Sequence, residues 1–269
     1  MFQRQFDAYH MKLAGMMLPV FLAAFLSVAA CSVKEDRNPC PCLLELDIKG
    51  PDAESSGAVD ILLTSHDGFM HHDVVDAWAE ESRYSVSVPR TELHVRAWCG
   101  AGRNISEDGL SIPRGQDCPR VYMHDSDVVT EGEYYREEVW LRKNHCVLTL
   151  VNKGKDNDFS DLVLKGNVSG YDAYGEPLAG DFEFSLGDAS QQEYQAVLPR
   201  QRDDSLMLEM EDAKGNRIAF SLGRYIVASG YDWTAPELED VTVTLDYALT
   251  EIRLNIDGWE SVYRYDVEI

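Results

Sequence analysis

The sequence predicts an all-β protein of two sandwiches, exported and tied to a membrane by lipid. Three observations predict it. Past residue 42, apolar and polar residues alternate with a period of two in one short segment after another, the pattern of half-buried strands. Gly, Asn, Asp and Pro clusters separate those segments, and many short strands between turns mean sandwiches. An apolar run over residues 16–30 closes on Val28-Ala29-Ala30-Cys31.

That run comes first along the chain. It falls short of the ~20 apolar residues a helix needs to cross a bilayer. Ending in small residues, it reads as a signal peptide over residues 1–30. Met11, followed by Lys12, is a better start than Met1, because it sets a positive charge directly before the apolar run. A Cys directly after the small residues matches a bacterial lipobox, so Cys31 is predicted to be diacylated and to begin the mature chain. Each buried lipid CH₂ contributes about 0.8 kcal/mol, so two acyl chains hold where one would exchange. Residues 31–42 then form a lipidated tether. Its Lys34-Glu35-Asp36 stretch resembles the surface-export signal of Bacteroidetes lipoproteins, which places the folded part at the outer membrane, exposed on the cell surface.

Composition narrows the partners. Asp and Glu number 47 against 24 Lys and Arg, for a formal net charge of −23. Losing residues 1–30 removes Arg4, Lys12 and Asp7, leaving the remainder one unit more negative. Nucleic acid and anionic lipid headgroups both need clustered cations, so neither is predicted as a partner. Besides Cys31, the chain carries Cys40, Cys42, Cys99, Cys118 and Cys146. Outside the cell these are candidate disulfide partners, and an odd number leaves at least one over. Cys40 and Cys42 flank Pro41 and are too close to bridge each other comfortably. A bond from one of them to Cys99 or Cys118 would staple the tether to the first sandwich.

The strands follow in order. Val59, Ile61 and Leu63 share a face, as do Tyr84, Val86 and Val88. Leu93, Val95, Ala97 and Cys99 alternate with His94, Arg96 and Trp98. Residues 146–151 are apolar on both faces, as a central strand requires. A short helix over residues 74–81 is the one helical segment expected. In the second series, Leu206, Leu208 and Met210 lead through the turn Lys214-Gly215-Asn216 into Ile218, Phe220 and Leu222, a hairpin. Val241, Val243 and Leu245 precede Ile252, Leu254 and Ile256. Two similar counts of strands put one sandwich over residues 43–145 and another over residues 146–269.

Chemistry is sparse. There is no nucleophile elbow, phosphate-cradling loop or H-E-x-x-H helix, so we expect no enzyme, cofactor or metal. His66, His71, His72 and Asp73 read as a polar loop, since nothing fixes a ligand spacing. Residues 156–158 begin like a calcium loop, but Asp161 stands where the turn glycine belongs and Asn167 where the bidentate Glu belongs. Carboxylate pairs such as Asp181 with Glu183 are solvated charge in so acidic a chain.

The run from Cys31 through Lys34-Glu35-Asp36-Arg37 to Cys40-Pro41-Cys42 and the Leu-x-Leu-Asp entry ending at Asp47 resembles the opening of the FimB/Mfa2 family. The run from Ile252 to Trp259 also looks like that family. These are fimbrial anchor and accessory subunits of Bacteroidetes. The resemblance implies two transthyretin-like Greek-key β-sandwiches, a position at the base of a fimbria, and a fimbrial stalk subunit as partner. It also implies assembly by strand addition, in which one subunit's extended segment completes another's sheet. In stalk subunits, cleavage after an Arg removes the first strand. An anchor keeps its lipid and its first strand, so Arg37 must escape cleavage. The strict alternation of Tyr263, Tyr265, Val267 and Ile269 makes residues 263–269 either a last strand of the protein's own sheet or a donor strand for the stalk. Ser261 and Val262 would be its hinge. Rival readings are a fimbrial tip adhesin of the same fold and a glycan-binding lipoprotein using Trp78, Trp98, Trp140, Trp233 or Trp259 as platforms.

Overall fold

The computed structural model of the protein describes residues 40–50, 57–75, 81–153, 159–188, 192–212, 217–246, 251–256 and 259–264. Strand β1 (Cys42–Lys49) starts where the tether ends. Its Cys42, Leu44, Leu46 and Ile48 alternate onto one face and are wholly buried. Strands β2 (Val59–Thr64) and β3 (Met70–Val75) pair as a hairpin. β4 (Glu81–Val88) returns to lie antiparallel to β1, and β5 (Glu92–Cys99) pairs with β2. After a 3-10 turn at Gly102–Asn104 come the short β6 (Ile105–Ser106) and β7 (Gly109–Ser111). β8 (Tyr122–Val129) pairs with β5. β9 (Tyr134–Trp140) lies parallel to β1, and β10 (Arg142–Lys143) caps β8. Sheets of order β4-β1-β9 and β10-β8-β5-β2-β3 result. The alternate residues of β1, β2 and β5, with Val88, Val128 and Val139, fill the space between them.

The pairing order then repeats. β11 (His145–Asn152) takes the place of β1, and β12 (Phe159–Asp172) with β13 (Pro177–Asp188) form the hairpin. β14 (Glu193–Pro199) returns antiparallel to β11, β15 (Met207–Asp212) pairs with β12, and β16 (Arg217–Phe220) with β15. β17 (Val241–Asp246) lies parallel to β11, as β9 does to β1. Two strands follow with no counterpart in the first series. β18 (Glu251–Ile256) pairs with β17, and β19 (Trp259–Arg264) with β18. Cys146, Leu148 and Leu150 of β11 meet Leu162 and Leu164 of β12 and Val241 and Val243 of β17 in a second core.

The protein is all-β, as its periodicity predicts, with one short α-helix among the described residues. Two expectations about helices are corrected. The helix expected over residues 74–81 is not formed at its described ends. Val74 and Val75 finish β3 and Glu81 opens β4, because both β-branched residues pair across to β2 instead. Residues 76–80 lie outside the described set. Leu222, read as the end of a strand, instead opens helix α1 (Leu222–Ala228). Leu222 and Ile226 are one helical turn apart and both wholly buried. The alternation with Ile218 and Phe220 hid that period.

The largest departure from a simple sandwich is at β5. A strand that alternates Leu93, Val95 and Ala97 with His94, Arg96 and Trp98 should leave the second set wet. Arg96 is only 1% exposed and Trp98 is wholly buried. Strands β6 and β7 cross over to join the sheet of β12, and they cover this outer face on the way. Gly170 permits the join. Its φ is +154°, and a Cβ there would sit 2.0 Å from the carbonyl oxygen of Leu110. Trp98, Leu110, Ile112 and Met123 therefore belong to the second core, and the described residues from 41 onward hold together as one unit.

Leu46→Ala should lower unfolding stability by about 2–5 kcal/mol, the usual cost of a buried leucine. Leu43→Ala, on the outer face and 44% exposed, should change it little. Chemical denaturation of the two variants checks this. Equal losses would mean β1 is not held as described.

Candidate functional site

The joint between the two strand series is organised by a few polar side chains. Tyr171, at the far end of β12, is wholly buried, and burial holds its hydroxyl protonated. It donates to the backbone carbonyl of Asn144. The same hydroxyl accepts the backbone N–H of Arg200 at 2.7 Å. The Arg200 guanidinium donates from Nε to Asn144 Oδ1 at 2.6 Å, and from Nη1 to the carbonyls of Trp233 and Ala235. Lys143 pairs with Asp240 at 2.6 Å, and the same carboxylate oxygen takes the Val147 N–H at 2.7 Å. Segment 143–147, the passage from one series to the other, is thus fixed by side chains from β12, residue 200 and residue 240.

Above this joint lies a cleft of about 800 Å³. Met123, Asp125 and Arg142 form one wall, the β12–β13 turn forms a second, and Arg200, Arg202 and Trp233 form the third. The turn is pinned from within, since Asp172 accepts the backbone N–H groups of Tyr174 and Glu176 at 2.9 and 3.0 Å. Gly175 at its tip has φ +74°, and a Cβ there would meet Asp125 Oδ2 at 2.7 Å. Tyr174 packs against His94 with ring centroids 4.8 Å apart and the planes tilted by 58°. Asp125 also accepts the Trp98 indole N–H at 3.1 Å and lies 3.6 Å from His94 Nε2.

The residues singled out in the sequence are scattered. Residues 1–39, including Cys31 and Arg37, lie outside the described set, as do Tyr265, Val267 and Ile269. Tyr263 is in β19, opposite Ile252, and Ser261 and Val262 pair with Leu254 and Arg253 within the same strand. Among the described residues β19 is the outermost strand of its sheet. Cys40, Cys42, Cys99, Cys118 and Cys146 are all free thiols, so the bridges the sequence left open are not formed. Cys42 and Cys99 pack in the first core, and Cys118 and Cys146 in the second, as small hydrophobes. Burial pushes the Cys146 thiol up to about 12 and the Cys99 thiol up to about 11.

His71, His72 and Asp73, read from the sequence as a polar loop, lie instead in strand β3 paired with β2, and His71 and Asp73 meet at one hydroxyl. The Tyr84 hydroxyl lies 2.6 Å from His71 Nε2 and donates to Asp73 at 2.9 Å. His72 bonds Asp60 at 2.7 Å, and His66 is exposed. The start of the calcium-like run, residues 156–158, is outside the described set, and Asp161 and Asn167 are strand residues of β12. Of the tryptophans, Trp98 and Trp233 are buried and Trp140 is half exposed under Lys49. Trp78 and the Trp259 side chain are outside the described set. Sequence reasoning missed Asn144, Tyr171 and Arg200 altogether. Their one signal is a Pro-Arg step after a strand, and that step occurs in too many loops to mark a joint.

No protein-family model matches the chain, and no curated protein matches it in sequence. Solved structures match the fold at low identity. A candidate polysaccharide-binding protein from Bacteroides thetaiotaomicron aligns with a TM-score of 0.63 and 14% identity, over 84% of this chain and 99% of its own. A candidate adhesin from the same organism gives 0.61 and 14%, over 82% and 98%. The fimbrial anchor protein Mfa2 from Porphyromonas gingivalis gives 0.61 and 10%, over 82% and 99%. The chain therefore shares its fold with proteins of fimbriae and adhesion across their full lengths.

Two histidines near the joint should pull stability in opposite directions. Burial pushes His145 down to about 4, although it donates to the Val121 carbonyl at 3.0 Å. Its folded pKa lies below the unfolded value of ~6.5. Its contribution is therefore full above pH ~6.5 and lost as pH falls toward 4. His94 is raised, first by the Asp125 carboxylate 3.6 Å away and then by Asp127, bonded to its Nδ1 at 3.0 Å. Its contribution is full below pH ~6.5 and lost as pH rises through its folded value. Denaturation at several pH values should show His145→Asn removing up to about 3 kcal/mol of the acid-side loss. His94→Gln should instead flatten the alkaline side. Parallel curves for all three proteins would contradict both assignments.

Proposed function

We propose that the protein is a non-enzymatic, lipid-anchored subunit at the base of a surface fimbria. Acylated Cys31 holds it in the outer membrane, and strand addition joins it to the first stalk subunit. On this reading it is built as two transthyretin-like sandwiches, residues 43–145 and 146–269. The repeated pairing order of β1–β9 and β11–β17 supports that division. The fold shared with the Mfa2 anchor over nearly all of that protein supports the setting.

The observation that carries the anchor reading is the position of β1. The strand next to the tether is the middle strand of its sheet, bonded to β4 on one side and β9 on the other. A pull along the tether is met by both ladders and by four buried side chains at once. Such a strand closes its own groove, which suits a subunit that stays attached and does not receive a donor. Contact with the stalk then falls to a strand the fold can release. β19 is bonded on one side alone among the described residues, so its departure breaks one ladder and opens no core between two partners.

Cys31→Ala should leave the β-sheet circular dichroism unchanged and move the protein from the membrane to the soluble fraction. Retention in the membrane after a high-salt wash would refute lipid anchoring. Deleting residues 263–269 tests the strand donor. The truncated protein should melt at the same temperature and lose co-purification with the stalk. Melting or aggregation would make the segment part of the protein's own sheet. A folded truncation that still captures the stalk would exclude donation.

A further inference from the structure

The cleft above the joint has a charge balance unlike the rest of the molecule. In a chain of net charge −23, three arginines line one opening: Arg142, Arg200 and Arg202. Arg142 and Arg202 are exposed, and neither makes an ion pair with a described carboxylate. Arg200 spends its hydrogen bonds on Asn144 Oδ1 and two backbone carbonyls, all neutral acceptors, and the nearby Asp232 carboxylate is taken up by Thr234, so among the described residues no carboxylate bonds the Arg200 guanidinium and no acceptor meets its Nη2. The carboxylates at the same opening do not offset this. Asp172 is committed to its turn, and Asp125 accepts from Trp98 through Oδ2 while its buried Oδ1 lies 3.6 Å from His94. Glu176 alone is exposed and uncommitted.

Two aromatic features complete the site. Tyr174 stands on the rim and is 63% exposed, although the turn that carries it is pinned by Asp172 and Gly175. Trp233, 5% exposed, lines the cleft, and its buried indole N–H has no acceptor among the described residues. A held, exposed ring beside unpaired guanidinium groups is a preorganised surface.

We propose that this cleft binds a carboxylate-bearing saccharide. Guanidinium groups grip a sugar carboxylate in paired, charge-assisted bonds. The face of a pyranose ring is a flat set of C–H groups that lies well on Tyr174, and Glu176 accepts ring hydroxyls. A neutral sugar would leave the three cations unpaired. An acidic peptide would bring no hydroxyls to Glu176 and would set like charge against it. The volume suits a few sugar rings. This assignment is independent of the fimbrial reading, because it concerns the joint and neither the tether nor β19.

Calorimetry on the full chain tests it, with trigalacturonate and sialyllactose as acidic probes. Methyl-esterified trigalacturonate and hexaglutamate serve as comparisons. At least one acidic saccharide should bind, the ester should not, and Arg142→Ala with Arg202→Ala should weaken binding about tenfold or more. Both side chains are exposed and free of ion pairs, so the double variant should melt with the parent. As a second variant, Tyr174→Ala should weaken binding while the acid-over-ester preference persists. No binding of either acidic saccharide at millimolar concentration overturns the proposal. So does equal binding of the ester, or binding indifferent to the double variant. Hexaglutamate binding as tightly as the saccharides would assign the cleft to an acidic peptide and overturn it as well.

Discussion

Each series of strands depends on its first strand lying in the middle of a sheet. β1 holds β4 antiparallel on one side and β9 parallel on the other, and β11 holds β14 and β17 in the same way. The parallel partner is the last strand of its basic set, so no tight turn can join it to the first. The ladder along β1 is what fixes β9 in its sheet. The four buried side chains of β1 then lock that arrangement to the facing sheet, since sliding by one residue would turn all of them to water. The outer face adds a charged ladder, in which Asp47 sits 2.6 Å from Arg136 and Lys49 2.7 Å from Glu138. Each pair has one half-exposed or exposed partner, Arg136 or Glu138, so screening keeps its contribution modest, but together they favour one register over its neighbours.

The second dependence is the covering of β5. Once β6 and β7 cross to the other sheet, Arg96 is enclosed and its charge must be answered locally. It donates to the carbonyls of Ser106 and Glu107 at 2.9 and 3.1 Å, lies 3.4 Å from Asp60, and stacks 4.7 Å from Trp98. A buried guanidinium with these partners is costly to disrupt, because removing any one leaves charge in a dry place. The crossing segment is thereby tied to both sheets. Tyr171 and Arg200 act in the same way a short distance off, so the passage between the two series is stiff where a plain linker would flex. Stiffness there also keeps the cleft open and its aromatic rim in place, as the proposed saccharide site requires.

A stiff body with a removable edge strand such as β19 fits, on the anchor reading, a subunit that transmits force between a membrane and a polymer. On the anchor reading, tension enters at β1 and leaves near β19, at opposite ends of the chain. The free thiols agree with this design. Four of the five are buried as packing groups and carry raised pKa values that keep them unreactive. The unit therefore holds by its cores and its joint.

The sequence by itself determined the all-β class and the inward face of strands such as β1, β2 and β5, because a period of two is local and survives any tertiary arrangement. Leu44, Leu46, Val59, Ile61, Val95 and Leu148 could be read as core from their neighbours alone. It also determined the acidic surface and the apolar run before Cys31. Tertiary structure decided everything that depends on what lies across from a residue. His94, Arg96 and Trp98 read as an outer face and are buried, because β6 and β7 cover them from a distance in sequence. Leu222 reads as strand and is helix, because its partner in burial is Ile226. Asn144, Tyr171 and Arg200 carry no mark in the chain, since a polar residue becomes a joint only when folding brings its partners within hydrogen-bond reach. The three arginines of the cleft are likewise unremarkable in sequence, two near each other and one far off, and only the meeting of the two strand series makes them one site.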